Sequence, residues 1–252
     1  MKLPRPGFTL LELIVALAIF ALLAGLAAAA IGYARAAVLR TRCLNHMRQQ
    51  ALAILSYESG HGRLPPGAIS GPFEPLGAPE GVSHGLWPVL LSQLGEDVLA
   101  RHYRFDVSHD DAINVTATSS AIAVLRCPAD STDPLGARPA WANYGPIEVN
   151  AFWADIGLIE PAATYEGVLP VNGMVKLSDL TDGASQTILH IEAPAANPWS
   201  SPATMVSARL AVGVGRHRTG ANIAMADGAV RSLGADLALR ELARLVTRAG
   251  GD

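Results

Sequence analysis

An uninterrupted apolar run near the N terminus constrains this chain more than any other feature. From Leu13 to Ile31, 19 residues pass without a charged or strongly polar side chain. At 1.5 Å rise per residue a helix of that length covers roughly 28 Å, close to the hydrocarbon thickness of a bilayer. The prolines reinforce the pattern: 58 consecutive residues separate Pro6 from Pro65, whereas 15 of the 17 prolines fall between Pro65 and Pro202. Proline is the strongest helix breaker, so the spacing predicts one long helix followed by a turn-rich domain.

Outside that run the composition is that of an ordinary globular domain. Of the 252 residues, 50% are apolar and 16% charged, with a net charge of -3. Such a balance leaves no electrostatic footprint for nucleic acid. The apolar content is too high for an intrinsically disordered chain.

Glu12 lies at the edge of the apolar run, where a carboxylate costs about 3 kcal/mol on insertion scales unless it is paired or stays at the interface. It calls for a cationic partner. Before it stand Lys2, Arg5, Pro6 and Gly7, a short basic leader ending in a small residue, with Phe8 next. Gly7-Phe8-Thr9-Leu10-Leu11-Glu12, followed by Leu13 to Ile19, resembles the start of type IV prepilins and type II secretion pseudopilins. That resemblance implies cleavage after Gly7 by a prepilin peptidase and N-methylation of Phe8. It further implies that Glu12 pairs with the terminal amine of another pilin or pseudopilin subunit during assembly.

A conventional secretory signal is the alternative, with Ala34-Arg35-Ala36 as its cleavage site. Its apolar core is normally 7 to 15 residues, shorter than here, and it gives Glu12 no role. The positive-inside rule does not discriminate, because Arg35, Arg40, Arg42 and Arg48 outnumber Lys2 and Arg5 and large domains translocate regardless of such charge.

Beyond the apolar run, Leu44, Met47, Ala51, Ile54 and Leu55 recur at helical spacing, so the helix is expected to continue with one face packed on a head domain. Gly60 and Gly62 end it. The expected divisions are therefore a leader over 1–7, a helix over 8–59 and an exported head over 60–252. Leu86 to Tyr103 predicts short helices, interrupted at Pro88 and Gly95. Val168 to Val171, Val175 to Leu177, Thr187 to Ile191, Met205 to Val214 and Ala221 to Leu233 read as strands. Within the last, Asp227-Gly228 predicts a two-residue hairpin turn with positive φ at both positions. Asp236 to Arg248 predicts a final amphipathic helix. The fold class is α+β: a pilin-like long helix on an antiparallel sheet.

Most of the chain resembles a large bacterial family of pilin-like proteins whose domain has no assigned function and whose C-terminal signature is His, nine residues, then Asp-Gly. His217 and Asp227-Gly228 have that spacing. Cys43-Leu44-Asn45, Leu64-Pro65-Pro66-Gly67, Cys127-Pro128-Ala129-Asp130 and Leu180-Thr181-Asp182-Gly183-Ala184-Ser185-Gln186-Thr187 match further segments. Ala129, Ala184 and Gln186 depart from the residues common there.

Little in the head suggests catalysis. His217, Asp227 and Ser185 have the residue types of a hydrolytic triad, but Ser185 lies in no Gly-x-Ser-x-Gly elbow. His217 reads better as a loop-bonding residue and Asp227 as a turn residue. No Cys-x-x-Cys pair or His-Glu-x-x-His motif suggests zinc. Pseudopilins of secretion systems bind calcium in a head loop, and Asp130, Asp133, Asp179 and Asp182 offer oxygen donors in turn-rich stretches without matching an EF-hand. Cys43 and Cys127 admit either one disulfide or two buried thiols. Asn114-Val115-Thr116 is a glycosylation sequon by pattern alone.

The expectation is a non-enzymatic subunit or accessory of a type IV pilus or type II secretion pseudopilus. It would be anchored once in the bacterial inner membrane, with its head in the periplasm or at the cell surface. The competing expectation is a tethered surface binding protein that only borrows the export signal.

Overall fold

The computed structural model describes residues 9–130, 139–148, 167–207 and 220–247. By compactness the chain divides at Thr41/Arg42, inside a single helix, α1, that runs from Leu10 to His61. In the first unit the apolar side chains of α1 are exposed: Leu11, Leu13, Ile14, Leu17, Phe20 and Leu23 have no protein packed over them. This helix is long and apolar enough to cross a membrane, and none of its most apolar window is buried in protein. Gly62 stops it, with φ at +68° and its amide donating to the Glu58 carbonyl at 2.7 Å.

The second unit begins with the last turns of α1. Cys43, Met47, Gln50, Ala51, Ile54 and Tyr57 are its buried stripe, displaced slightly from the expected one: Cys43 and Gln50 turn inward while Leu44 and Leu55 are half-buried. A small sheet follows, β1 (Ala68–Ser70) paired antiparallel with β2 (Ser83–Gly85). Short helical pieces come next: a 3-10 turn at Trp87–Leu90, α2 (Asp97–His102), α3 (Val115–Thr118) and a 3-10 turn at Ala123–Leu125. Among the described residues the main sheet has five strands: β3 (Trp141–Glu148), β4 (Ile188–Pro198), β5 (Val206–Ser207), β6 (Gly220–Met225) and β7 (Val230–Gly234). Their spatial order is β5-β3-β4-β6-β7. The pairs are antiparallel except β3 with β5, which is parallel. The last helix is α4, Leu239–Val246.

Both faces of this sheet are covered, so its strands are buried on alternate sides. One face contributes Tyr144, Leu189 and Ala224 to a core cluster shared with Met47 and Ile54 of α1 and with Trp87, Leu90 and Trp199. The other packs Ile188, Ile191, Ile223 and Met225 against Leu242, Ala243 and Val246 of α4.

Three expectations need correction. Val168 to Val171 and Val175 to Leu177 form no strands. Pro170 has no amide to donate, and Asn172 turns the chain with φ at +53°. Isolated bonds hold the segment instead, Gly67 N to Pro170 O at 2.9 Å and Leu64 N to Val175 O at 2.7 Å, while Leu177–Asp179 is a 3-10 turn. The hairpin turn also differs. Gly228 has φ at +85° but Asp227 does not have positive φ, and Gly228 N donates to Met225 O at 2.9 Å. The loop therefore has three residues, a type I turn closed by a left-handed glycine. Of the strand expected over Met205 to Val214, Val206–Ser207 is a strand and 208–214 lies outside the described residues.

Strand β3 was not expected at all. Pro146 and Gly145 break its sequence pattern, yet each fits. Pro146 pairs with His190 of β4, and β5 joins β3 only at Ile147 and Glu148, beyond the missing amide. At Gly145 a Cβ would lie 1.7 Å from the Thr204 carbonyl oxygen, so only glycine permits that approach.

Candidate functional site

The first candidate region is the mouth of α1. Thr9 caps it: the Thr9 amide and hydroxyl both donate to Glu12 Oε2 at 2.9 Å, and the Glu12 amide reaches Thr9 Oγ1 at 3.3 Å. This is a reciprocal capping box, which satisfies orphan donors at the helix start and fixes the carboxylate beside the N-terminal backbone. Gly7 and Phe8 lie outside the described residues.

The second region joins α1 to the head. Cys43 and Cys127 form a disulfide across 84 residues of sequence. Along the strip that leads away from it, α1 side chains bond the backbone of the arriving segment: His46 Nδ1 donates to Arg126 O at 2.8 Å, and Gln50 Nε2 to Val124 O at 2.6 Å. Residues 43, 46 and 50 share one helix face at i, i+3 and i+7, which is why they meet one extended strip of chain. Asn143 of β3 then closes the turn after Cys127. Its Oδ1 accepts from Cys127 N at 2.8 Å and its Nδ2 donates to Asp130 Oδ2 at 2.7 Å, while Asp130 N donates to Cys127 O at 2.9 Å. Cys127-Pro128-Ala129-Asp130 is thus a built turn. Asn143 escaped the sequence reading because nothing local distinguishes it.

Beside the disulfide sits a buried carboxylate, Glu192 of β4, also missed as a site residue. It is 1% exposed and accepts from Asn222 Nδ2 at 2.9 Å. Asn222 Oδ1 in turn accepts from Ser232 Oγ at 2.6 Å, so a polar chain crosses β4, β6 and β7 under the helix. Among the described residues, Cys43, Cys127 and Glu192 are the one group of three ligand-type side chains whose sulfur and oxygen atoms all lie within 4.8 Å of one another. With both sulfurs in the disulfide, neither is a thiolate available to a metal.

The third region unites two sequence motifs. The loop at Asp182-Gly183 lies against the Asp227-Gly228 turn: Asp227 N donates to Ala184 O at 3.1 Å and Ala226 N to Thr187 O at 2.8 Å. Gly183 has φ at +93°, and Thr187 Oγ1 bonds its carbonyl at 3.1 Å. Asp227 Oδ1 accepts from Ala229 N at 2.8 Å. Both Asp227 and Ser185 are exposed; His217 lies outside the described residues. Of the acidic residues considered for calcium, Asp130 is bonded to Asn143, and Asp179 Oδ2 accepts from Lys176 N at 3.1 Å to cap its own turn. Asp182 stands in the loop just described, and Asp133 lies outside the described residues.

Among the described residues, two histidines are fully buried. Tyr103 donates its hydroxyl to His84 Nδ1 at 2.8 Å and His84 Nε2 donates to Phe105 O at 3.1 Å, an arrangement that fixes the neutral ring's tautomer. Burial pushes His84 down to about 4. His190 stands edge-on to Trp87 with ring centroids 6.0 Å apart, neither ring nitrogen has a hydrogen-bond partner among the described residues, and burial pushes it down to about 3. Asn114 of the sequon is also buried; its side chain bonds Arg104 N, Arg104 O and Ser108 O, which removes it from modification in the folded head. A polar cleft of about 400 Å³ opens between His46 and Gln49 of α1 and Gln93, Glu96 and Val124.

Compared with known families, residues 33–213 match the model of a family described as a protein of unknown function (DUF1559), and residues 4–28 match a prokaryotic N-terminal methylation motif. No curated protein and no solved structure matches the chain.

Proposed function

The chain belongs to the pilin-like family described as a protein of unknown function (DUF1559) and carries a prepilin-type methylation motif, and from that premise we propose that it is a structural subunit or accessory pseudopilin of a type IV pilus or type II secretion system. The family is structural rather than enzymatic, and the motif implies processing by a prepilin peptidase and anchoring in a membrane.

The observation that carries the proposal is the exposed apolar first unit of α1 with Glu12 held at its mouth. In a bilayer, lipid covers those side chains; in a fibre, the equivalent helices of neighbouring subunits cover them. Cleavage after Gly7 puts a positively charged amine on Phe8. Glu12 then neutralises the amine of an adjacent subunit as the helix leaves lipid, which offsets the cost of burying either charge alone. The inner membrane holds the subunit before assembly and the head is exported.

Shearing cells and separating fibres from membranes tests this reading. Recovery of the processed chain in the sheared fibre fraction is expected. Recovery only as membrane-bound monomer would instead favour a tethered binding protein.

A further inference from the structure

Forming the Cys43–Cys127 bond requires a thiolate, because the thiol itself is a poor nucleophile. Both cysteines lie in the apolar core cluster, at 0% and 3% exposure, and such surroundings favour the protonated thiol over the anion. A carboxylate at that depth is costly, and an amide would accept the same bond from Asn222. A Glu192 carboxylate oxygen nonetheless lies within 4.8 Å of both sulfurs.

We propose that Glu192 is the proton acceptor that enables the Cys43–Cys127 disulfide to close within the folding head. An external disulfide of the exported compartment, R–S–S–R, first exchanges with the Cys127 thiolate on the segment not yet docked on α1. This forms Cys127–S–S–R, and the released RS⁻ takes up a proton as RSH. When the segment docks, the Cys43 thiol passes its proton to Glu192. The Cys43 sulfur attacks the Cys127 sulfur, the bond from Cys127 to R breaks, and the second RS⁻ leaves, taking its proton from Glu192. Two thiols are oxidised, one R–S–S–R is reduced to two RSH, and the carboxylate is regenerated. Asn222 and Ser232 hold Glu192 in place throughout.

Further described residues lie around the Glu192 carboxylate. Tyr144 stands in register with it on β3, and His190 lies two residues back on β4. His46 and Arg126 flank the cysteines, and Asp130 is bonded to Asn143. Strands β6 and β7 contribute the uncharged Asn222 and Ser232.

The test is reoxidation of the full chain, reduced and denatured, then refolded into detergent micelles with glutathione disulfide between pH 6 and 8.5. Thiols are trapped at intervals, and the mixed disulfide is separated from the closed one by mass. Glu192→Gln is expected to slow closure by at least about tenfold at pH 6 to 7. The deficit should shrink toward pH 8.5, where a thiol ionises unaided. Equal rates for the wild type and Glu192→Gln, or a deficit that is the same at every pH, would overturn the proposal. The wild type alone gives a second reading that needs no variant to fold. Its closure rate should rise less than tenfold per pH unit over this range, whereas a full tenfold rise per unit would mean the thiol ionises without an internal base.

Discussion

The amide of Asp227 donates to the carbonyl of Ala184 at 3.1 Å, which joins the Asp-Gly hairpin to the Thr-Asp-Gly loop 43 residues earlier in the chain. The second partner of the turn is α1, since a Cβ on Gly228 would stand 3.1 Å from Leu55 Cδ1. Two motifs that are separate in sequence thus form one buttress against the helix.

That buttress predicts the effect of Gly228→Ala. Its left-handed φ of +85° costs an L-residue about 1 kcal/mol, and the added methyl must displace Leu55. Denaturant unfolding of the head should show a loss of about 1–2 kcal/mol. Asp227→Ala removes the acceptor of the Ala229 amide and should cost about 1 kcal/mol in the same measurement.

The disulfide closes an 84-residue loop. Loop-closure entropy assigns such a bond about 4.5 kcal/mol. Cys127→Ala, or reduction of the wild type, should lower unfolding stability by an amount of that order. Thiol labelling under denaturing, non-reducing conditions should find no free cysteine in the purified wild type.

Acid should weaken the head through His190. Its folded-state value lies near 3, below the ordinary 6.5 of an unfolded histidine. Between those values the unfolded chain binds a proton that the folded one refuses, so stability present above pH 6.5 is lost as pH falls. The slope for this residue approaches about 1.4 kcal/mol per pH unit. His84, lowered to about 4 by burial, acts in the same direction. Unfolding followed between pH 7 and 4 should show a shallower decline in His190→Phe than in the wild type; identical slopes would remove His190 as the cause.

How much of this was legible beforehand depended on whether the signal was local. The extent of α1 followed from its proline-free apolar run and from Gly62, and the hairpin from Asp227-Gly228. Strand β3 was hidden because Pro146 and Gly145 disguise it, and what admits them is the short reach of β5 and the close Thr204 carbonyl. The turn type departs from the expected one because Asp227 keeps negative φ and satisfies Ala229 through its side chain instead. The choice between disulfide and thiols, and the roles of Asn143 and Glu192, depend on residues far apart in sequence that meet only after the sheet docks on α1.

At the mouth of α1, Glu12→Ala removes both the capping box and the carboxylate. The helix start should fray without the reciprocal bonds of Thr9 and Glu12, while the head, a separate compact unit from Arg42 onward, should unfold unchanged. Fibre yield in the sheared fraction should collapse. Undiminished yield would deny Glu12 its role in assembly.

Mass spectrometry of the mature N terminus, on protein purified from cells with a prepilin peptidase, tests the central claim most directly. The predicted first residue is Phe8 carrying one methyl group on its amine. A mature chain that keeps residues 1–7, or one that begins at Ala37, would contradict it.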